Sequence, residues 1–189
     1  GSFRGHIGVF SRGAGSGAIG LQEIFESLFR TRGKTREALE RRVEQKLLDW
    51  GSEAPEEDIQ ALAGFLRPTP HTSGGDEEQD ATTTQDIGRL FGALERMLEA
   101  ASRAQPRQII LDDIHWAGVE MVDFLDFLAV EMRQRPMPLM VMVTMRREEL
   151  GQRPRLARRL EELSRYAADT VTHEVLPRLP EGEGRQLVG

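Results

Sequence analysis

The clearest chemical signal in this chain is a pair of adjacent acids at the end of an apolar run. Gln108–Leu111 reads as a short strand, and Asp112-Asp113 follows it directly. In an open α/β sheet, ligands bind at the carboxyl edge of the strands, so such a pair is placed where chemistry occurs. In nucleotide hydrolysis one carboxylate there holds Mg²⁺, usually through water, and the ion bridges phosphate oxygens. A second carboxylate beside it orients and polarises the attacking water. The competing reading is a solvated turn that caps the next helix.

A phosphate-binding loop would complete that chemistry, and its pattern is G-x-x-x-x-G-K-[ST]. Gly15 to Gly20 supplies the two glycines, but Leu21-Gln22 stands where Lys-Ser/Thr is required. Gly33-Lys34-Thr35 supplies the final triplet, but the first glycine would fall on Leu28 and no strand precedes it. Two readings stay open. Either the chain starts downstream of its phosphate loop, with His6–Phe10 as the second strand, or His6–Phe10 is the first strand and the loop is degenerate.

Other chemistries find less support. There are no cysteines, which excludes disulfides and thiolate metal sites. His6, His71, His115 and His173 are too widely spaced to be paired zinc ligands. No serine sits in a G-x-S-x-G context. The formal net charge of -6 lacks the basic excess of a nucleic-acid binder. No apolar run approaches the roughly 20 residues that span a bilayer. Arg146, Arg147, Arg153, Arg155, Arg158 and Arg159 form a basic cluster. It reads as a solvated helix face, or as arginines that contact nucleotide or a neighbouring subunit.

The elements that must position Asp112 and Asp113 follow from periodicity and punctuation. His6–Phe10 is a strand candidate, and the Gly-rich Arg12–Gly20 a loop. Leu21, Ile24, Phe25, Leu28 and Phe29 share one helical face. Helices are expected over Thr35–Trp50 and Glu56–Leu66. Pro68 to Thr84 has no large apolar residue and reads as a flexible loop. The stripe Ile87, Leu90, Phe91, Leu94, Met97 and Leu98 predicts another helix, as do Val119–Gln134 and Pro154–Ala168. Leu139–Met145 is almost wholly apolar, the signature of a strand buried on both faces. Thr170–Leu176 is a further strand candidate and Glu181–Val188 a terminal helix. The alternation predicts a three-layer α/β fold with a parallel sheet.

Ile109–Gly118 (IILDDIHWAG), followed by Pro138–Arg146 (PLMVMVTMR), resembles a signalling ATPase family. It is the group related to AAA and STAND NTPases that bacteria fuse to Ser/Thr kinase, nucleotide-cyclase or LuxR-type regulators. Members carry a segment like LDDLHWAD, an amphipathic helix, and a strand ending in Thr-x-Arg, here Thr144-Met145-Arg146. Arg4-Gly5-His6 and the Gly-rich loop fit the family's earlier segments loosely. The resemblance implies an incomplete P-loop NTPase-like parallel sheet flanked by helices over residues 1–189, without its Walker A segment. It also implies a helical insertion at about 31–66 and a flexible loop at about 68–84. Asp112 would be the Mg²⁺ ligand, Asp113 the catalytic carboxylate, Arg146 a sensor arginine near the γ-phosphate, and Thr144 a nucleotide-site residue. Gly118 stands where many members have Asp, which removes a helix cap. The implied activity is ATP binding and hydrolysis in a cytoplasmic regulator, with an attached output domain or signalling partners and possible self-association. The alternative is a non-catalytic interaction domain that keeps the fold without turnover.

Overall fold

The computed structural model describes residues 4–12, 19–68, 84–169 and 171–176. Its sheet has three parallel strands in the order β1 (Arg4–Val9), β2 (Arg107–Asp112), β3 (Leu139–Val143). Between β1 and β2 run α1 (Ile19–Phe29), α2 (Arg36–Asp49), α3 (Glu56–Leu66) and α4 (Thr84–Ala104). A 3₁₀ turn (Ile114–Trp116) and α5 (Val119–Gln134) lead to β3. The short α6 (Arg147–Leu150) and α7 (Pro154–Tyr166) follow. The chain is therefore α/β, a parallel sheet flanked by helices, and β2 and β3 are adjacent as their apolar content predicts.

The helices start and stop where local chemistry requires. The Thr35 hydroxyl accepts the Ala38 N–H and caps α2. Gly51, at φ 70, turns the chain out of that helix in the left-handed region that glycine enters without strain. Segment 31–66, expected as a helical insertion, contributes α2 and α3, whose Leu39, Val43, Leu47, Leu62 and Leu66 join the common core. Most of the expected flexible loop at 68–84, and the helix expected at Glu181–Val188, lie outside the described residues.

Strand register assigns each side chain to a face. His6, Gly8, Ile109, Leu111 and Leu139 share the face against α1 and the core, and all are buried. On the opposite face Ile7, Met140 and Met142 are 57%, 48% and 45% exposed. This corrects the expectation that Leu139–Met145 is buried on both sides. The physical reason is topological. Both connections step the same way across the sheet, and right-handed crossovers then carry their helices over the same face.

The second correction concerns Thr170–Leu176. Val171–Leu176 pairs with no strand among the described residues. The Val171 N–H instead donates to the Ala167 carbonyl and extends the end of α7, and Leu176 is exposed. β-branched content alone suggested a strand there, but no sheet edge receives it.

His6 shows what burial does to a titrating group. Arg107 can only donate, so its Nη1 contact at 3.4 Å makes His6 Nε2 the acceptor. Nδ1 then carries the proton and donates to Ser27 Oγ at 3.0 Å. Burial first, and then the Arg107 and Arg4 charges, push the imidazole down from 6.5 to about 4. The folded state thus resists a proton that the unfolded chain accepts. Stability is full above 6.5 and falls as the pH drops towards 4, by roughly 3 kcal/mol in all. Denaturant titrations across that range should show the loss in the parent sequence and a flatter profile in His6→Gln.

Candidate functional site

Asp112 is the last residue of β2, and Thr144 follows the last residue of β3. The two ends are tied by backbone: Thr144 N–H donates to Leu111 O, and Ile114 N–H donates to Thr144 O, both at 3.0 Å. The Thr144 side chain ties them again. Its hydroxyl donates to Asp112 Oδ1 at 2.5 Å and accepts the Asp113 N–H at 3.0 Å. One hydroxyl therefore fixes the carboxylate of the first acid and the backbone of the second.

Asp113 needs that restraint. Its φ of 57 and ψ of 43 lie in the left-handed region, which Asp enters more readily than most residues but still at some cost. The conformation breaks the strand sharply and starts the 3₁₀ turn, whose Trp116 N–H bonds back to Asp113 O. The Asp113 carboxylate stays partly open to solvent. Its Oδ1 lies 3.6 Å from Arg146 Nε and 3.7 Å from His115 Nδ1. The Arg146 contact is a loose ion pair, and the His115 contact exceeds hydrogen-bond length.

His115 is buried and serves as a brace. Its Nδ1 accepts the Arg146 N–H at 3.4 Å, and its carbonyl accepts Arg153 Nη1 at 2.6 Å. Its ring packs on Trp116 at 4.9 Å between centroids. The His-Trp pair thus joins the ends of β2 and β3 to the start of α7. The Arg12 guanidinium lies 5.5 Å over the Trp116 ring, which brings the end of β1 to the same place. Sequence alone showed neither the bracing role of His115 nor the part of Arg153. Both depend on contacts more than 30 residues apart, and no local pattern encodes them.

The remaining arginines are mostly committed elsewhere. Arg159 pairs with Asp123 and Asp126 of α5, and Arg158 with Glu162. Arg159 therefore ties α7 to α5, whereas the Arg158 pair lies within α7 on its exposed side, as the solvated-face reading expects. Gly118 does precede α5 without a side-chain cap. The chain has two lysines, Lys34 and Lys46. Lys34 lies in the turn before α2, and Lys46 lines a cavity with Arg4 and Arg107 at the opposite end of the strands. Neither follows a glycine loop beside Asp112.

Protein-family models, curated proteins and solved structures all gave no match to this chain. Function must therefore be argued from the site itself. Among the described residues no three His, Asp or Glu side chains converge to cage a metal. Mg²⁺ does not require such a cage. It takes one or two carboxylates and completes its octahedron with water and phosphate oxygens, the donor set that Asp112 and Asp113 offer.

Thr144→Val removes the bridging hydroxyl and keeps the shape. The Asp113 N–H and Asp112 Oδ1 then lose their partner in a half-buried place, which costs about 1–3 kcal/mol. Urea denaturation should show a lower midpoint with an unchanged slope.

Proposed function

We propose that this chain is part of an ATP-binding and ATP-hydrolysing regulatory module of the AAA/STAND signalling type. The observation that carries this reading is the Thr144 hydroxyl clamped between the Asp112 carboxylate and the Asp113 amide at the carboxyl edge of a parallel sheet. Support comes also from Arg146 beside Asp113 and from the strand-helix-strand order that delivers all four residues to one edge. In this reading Asp112 holds Mg²⁺, which neutralises phosphate charge. Asp113 orients and polarises the attacking water, and Arg146 faces the γ-phosphate. ATP and Mg²⁺ are the implied ligands.

The open sheet face fits the same proposal. Ile7, Ile110 and Met142 line up across it, beside Asp112. A further strand paired with β3, followed by a phosphate loop and a helix on that face, would form a third layer and cover this apolar surface. It would also reverse the strand order beside Asp112, the position at which open α/β sheets bind ligands. The full P-loop NTPase-like fold, the attached output domain, self-association and a cytoplasmic setting belong to this proposal. No helix among the described residues is long and apolar enough to cross a membrane.

Calorimetry on this chain alone should detect weak or no Mg²⁺·ATP binding, because no lysine stands in a phosphate loop. A micromolar dissociation constant that is lost in Asp112→Asn would overturn the placement of that loop outside residues 1–189. The parent's sequence upstream of Gly1 should contain G-x-x-x-x-G-K-[ST]. A parent that lacks this motif and does not turn over ATP would sink the enzymatic reading and leave the interaction domain.

A further inference from the structure

A second charged site lies at the opposite end of the strands. β1 and β2 begin there with Arg4 and Arg107, which are paired in register. Between them, the end of α1 and the last turn of α2 is a cavity of about 290 Å³. Arg4, Arg30, Lys46 and Arg107 line it together with His6 and Trp50, and none of its nine lining residues is acidic. Lys46 Nζ has Asp49 Oδ2 4.0 Å away, at the edge of ion-pair distance.

Arg107 is the telling member. It is 5% exposed, and the contacts its guanidinium makes among the described residues are with neutral groups: Ala101 O at 3.1 Å, His6 Nε2 at 3.4 Å and the Trp50 ring at 5.5 Å. A buried guanidinium is costly unless an anion accompanies it. Arg30 adds a second anomaly. It follows α1 at φ 57, a left-handed position usually given to Gly or Asn, and it lines the cavity. Lys46 has its side chain mostly covered, with Nζ 5.9 Å from the Trp50 ring. Four cations have thus gathered on one small cavity in a chain whose net charge is -6.

We propose that this cavity binds a small phosphate-bearing anion with at least two negative charges, such as a pyrophosphate or bisphosphate group. Guanidinium forks match phosphate oxygens in pairs, and Lys46 adds a point charge. The volume lies at the small end of ligand sites, which favours a compact ligand over a polymer backbone or a membrane surface. The site is separate from Asp112. β1 and β2 run for six residues between the two ends, about 17 Å at strand rise.

The test is calorimetric titration of the chain with pyrophosphate, at neutral pH and low ionic strength. The expected result is saturable one-to-one binding that persists in Asp112→Asn. Arg30→Gln and Lys46→Gln should each weaken it about tenfold or more. Arg30 is exposed and Lys46 only partly buried, so circular dichroism of these variants should match the parent. Arg107→Gln is left as a secondary variant because its burial puts folding at risk. Absence of saturable heat would overturn the proposal. So would undiminished affinity in the Arg30→Gln/Lys46→Gln double variant, or a titration with sodium chloride to equal ionic strength producing the same saturable heat as pyrophosphate.

Discussion

Asp113→Asn in the full-length parent is expected to lower ATP turnover by roughly 10²–10⁴-fold, the usual worth of a positioned general base or water-orienting group. Nucleotide affinity should change little. Asp112→Asn should instead weaken Mg²⁺-dependent nucleotide binding as well as turnover. The difference comes from when each carboxylate acts. A metal ligand interacts in the ground state and the transition state alike, whereas a water-orienting carboxylate acts mainly as the bond breaks. The fold should tolerate both changes. Asn enters the left-handed region as readily as Asp, so the backbone at position 113 is preserved. At position 112 the Asn oxygen still accepts the Thr144 hydroxyl. If the two acids only form a turn, both variants will hydrolyse ATP like the parent. Steady-state rates and nucleotide titrations distinguish the two outcomes.

Gly8→Ala should be the most damaging Gly→Ala change among the described glycines. A Cβ at Gly8 would lie 1.9 Å from the Gly20 carbonyl oxygen, which belongs to the backbone of α1 and cannot rotate away. Gly20 is in turn wedged under the Phe10 ring, which a Cβ there would meet at 2.6 Å. The helix can make room only by lifting off the sheet, which loosens Ile24, Phe25 and Phe29 from the core. Overpacking of this kind costs roughly 3 kcal/mol or more, a large share of the stability of a small domain. Gly5→Ala, three residues earlier on the same strand, meets nothing within 4 Å. It should be neutral or stabilise by up to about 1 kcal/mol. Chemical denaturation of the two variants side by side checks the claim.

The contrast between those glycines shows where the sequence is informative and where it stops. Periodicity placed α3 at Glu56–Leu66 and α5 at Val119–Gln134 with the observed bounds, because amphipathic stripes there are closed by prolines and polar breaks. The parallel β2–β3 pair followed from two apolar runs separated by one helix. Asp112, Asp113, Thr144 and Arg146 were legible as candidates because two short motifs name them. Their arrangement was not. The hydroxyl of Thr144 reaches back 32 residues to Asp112, and strand ends come together only through sheet register. The one-sided burial of β3 was also hidden, since Met140 and Met142 look like core residues until the direction of the crossovers is known. Arg4, Arg30, Lys46 and Arg107 lie far apart in the chain and carry no shared pattern. Only the fold gathers them.

The central claim is that Mg²⁺·nucleotide sits at the Asp112–Thr144 edge. Metal-directed cleavage tests it most directly. Fe²⁺ replaces Mg²⁺ in the full-length parent, and ascorbate with peroxide then cuts backbone next to the bound metal. The account predicts ATP-dependent cuts within residues 110–114 and 143–145, and their loss in Asp112→Asn. Cleavage confined to other segments, or cuts at this edge that persist without nucleotide and in Asp112→Asn, would contradict it.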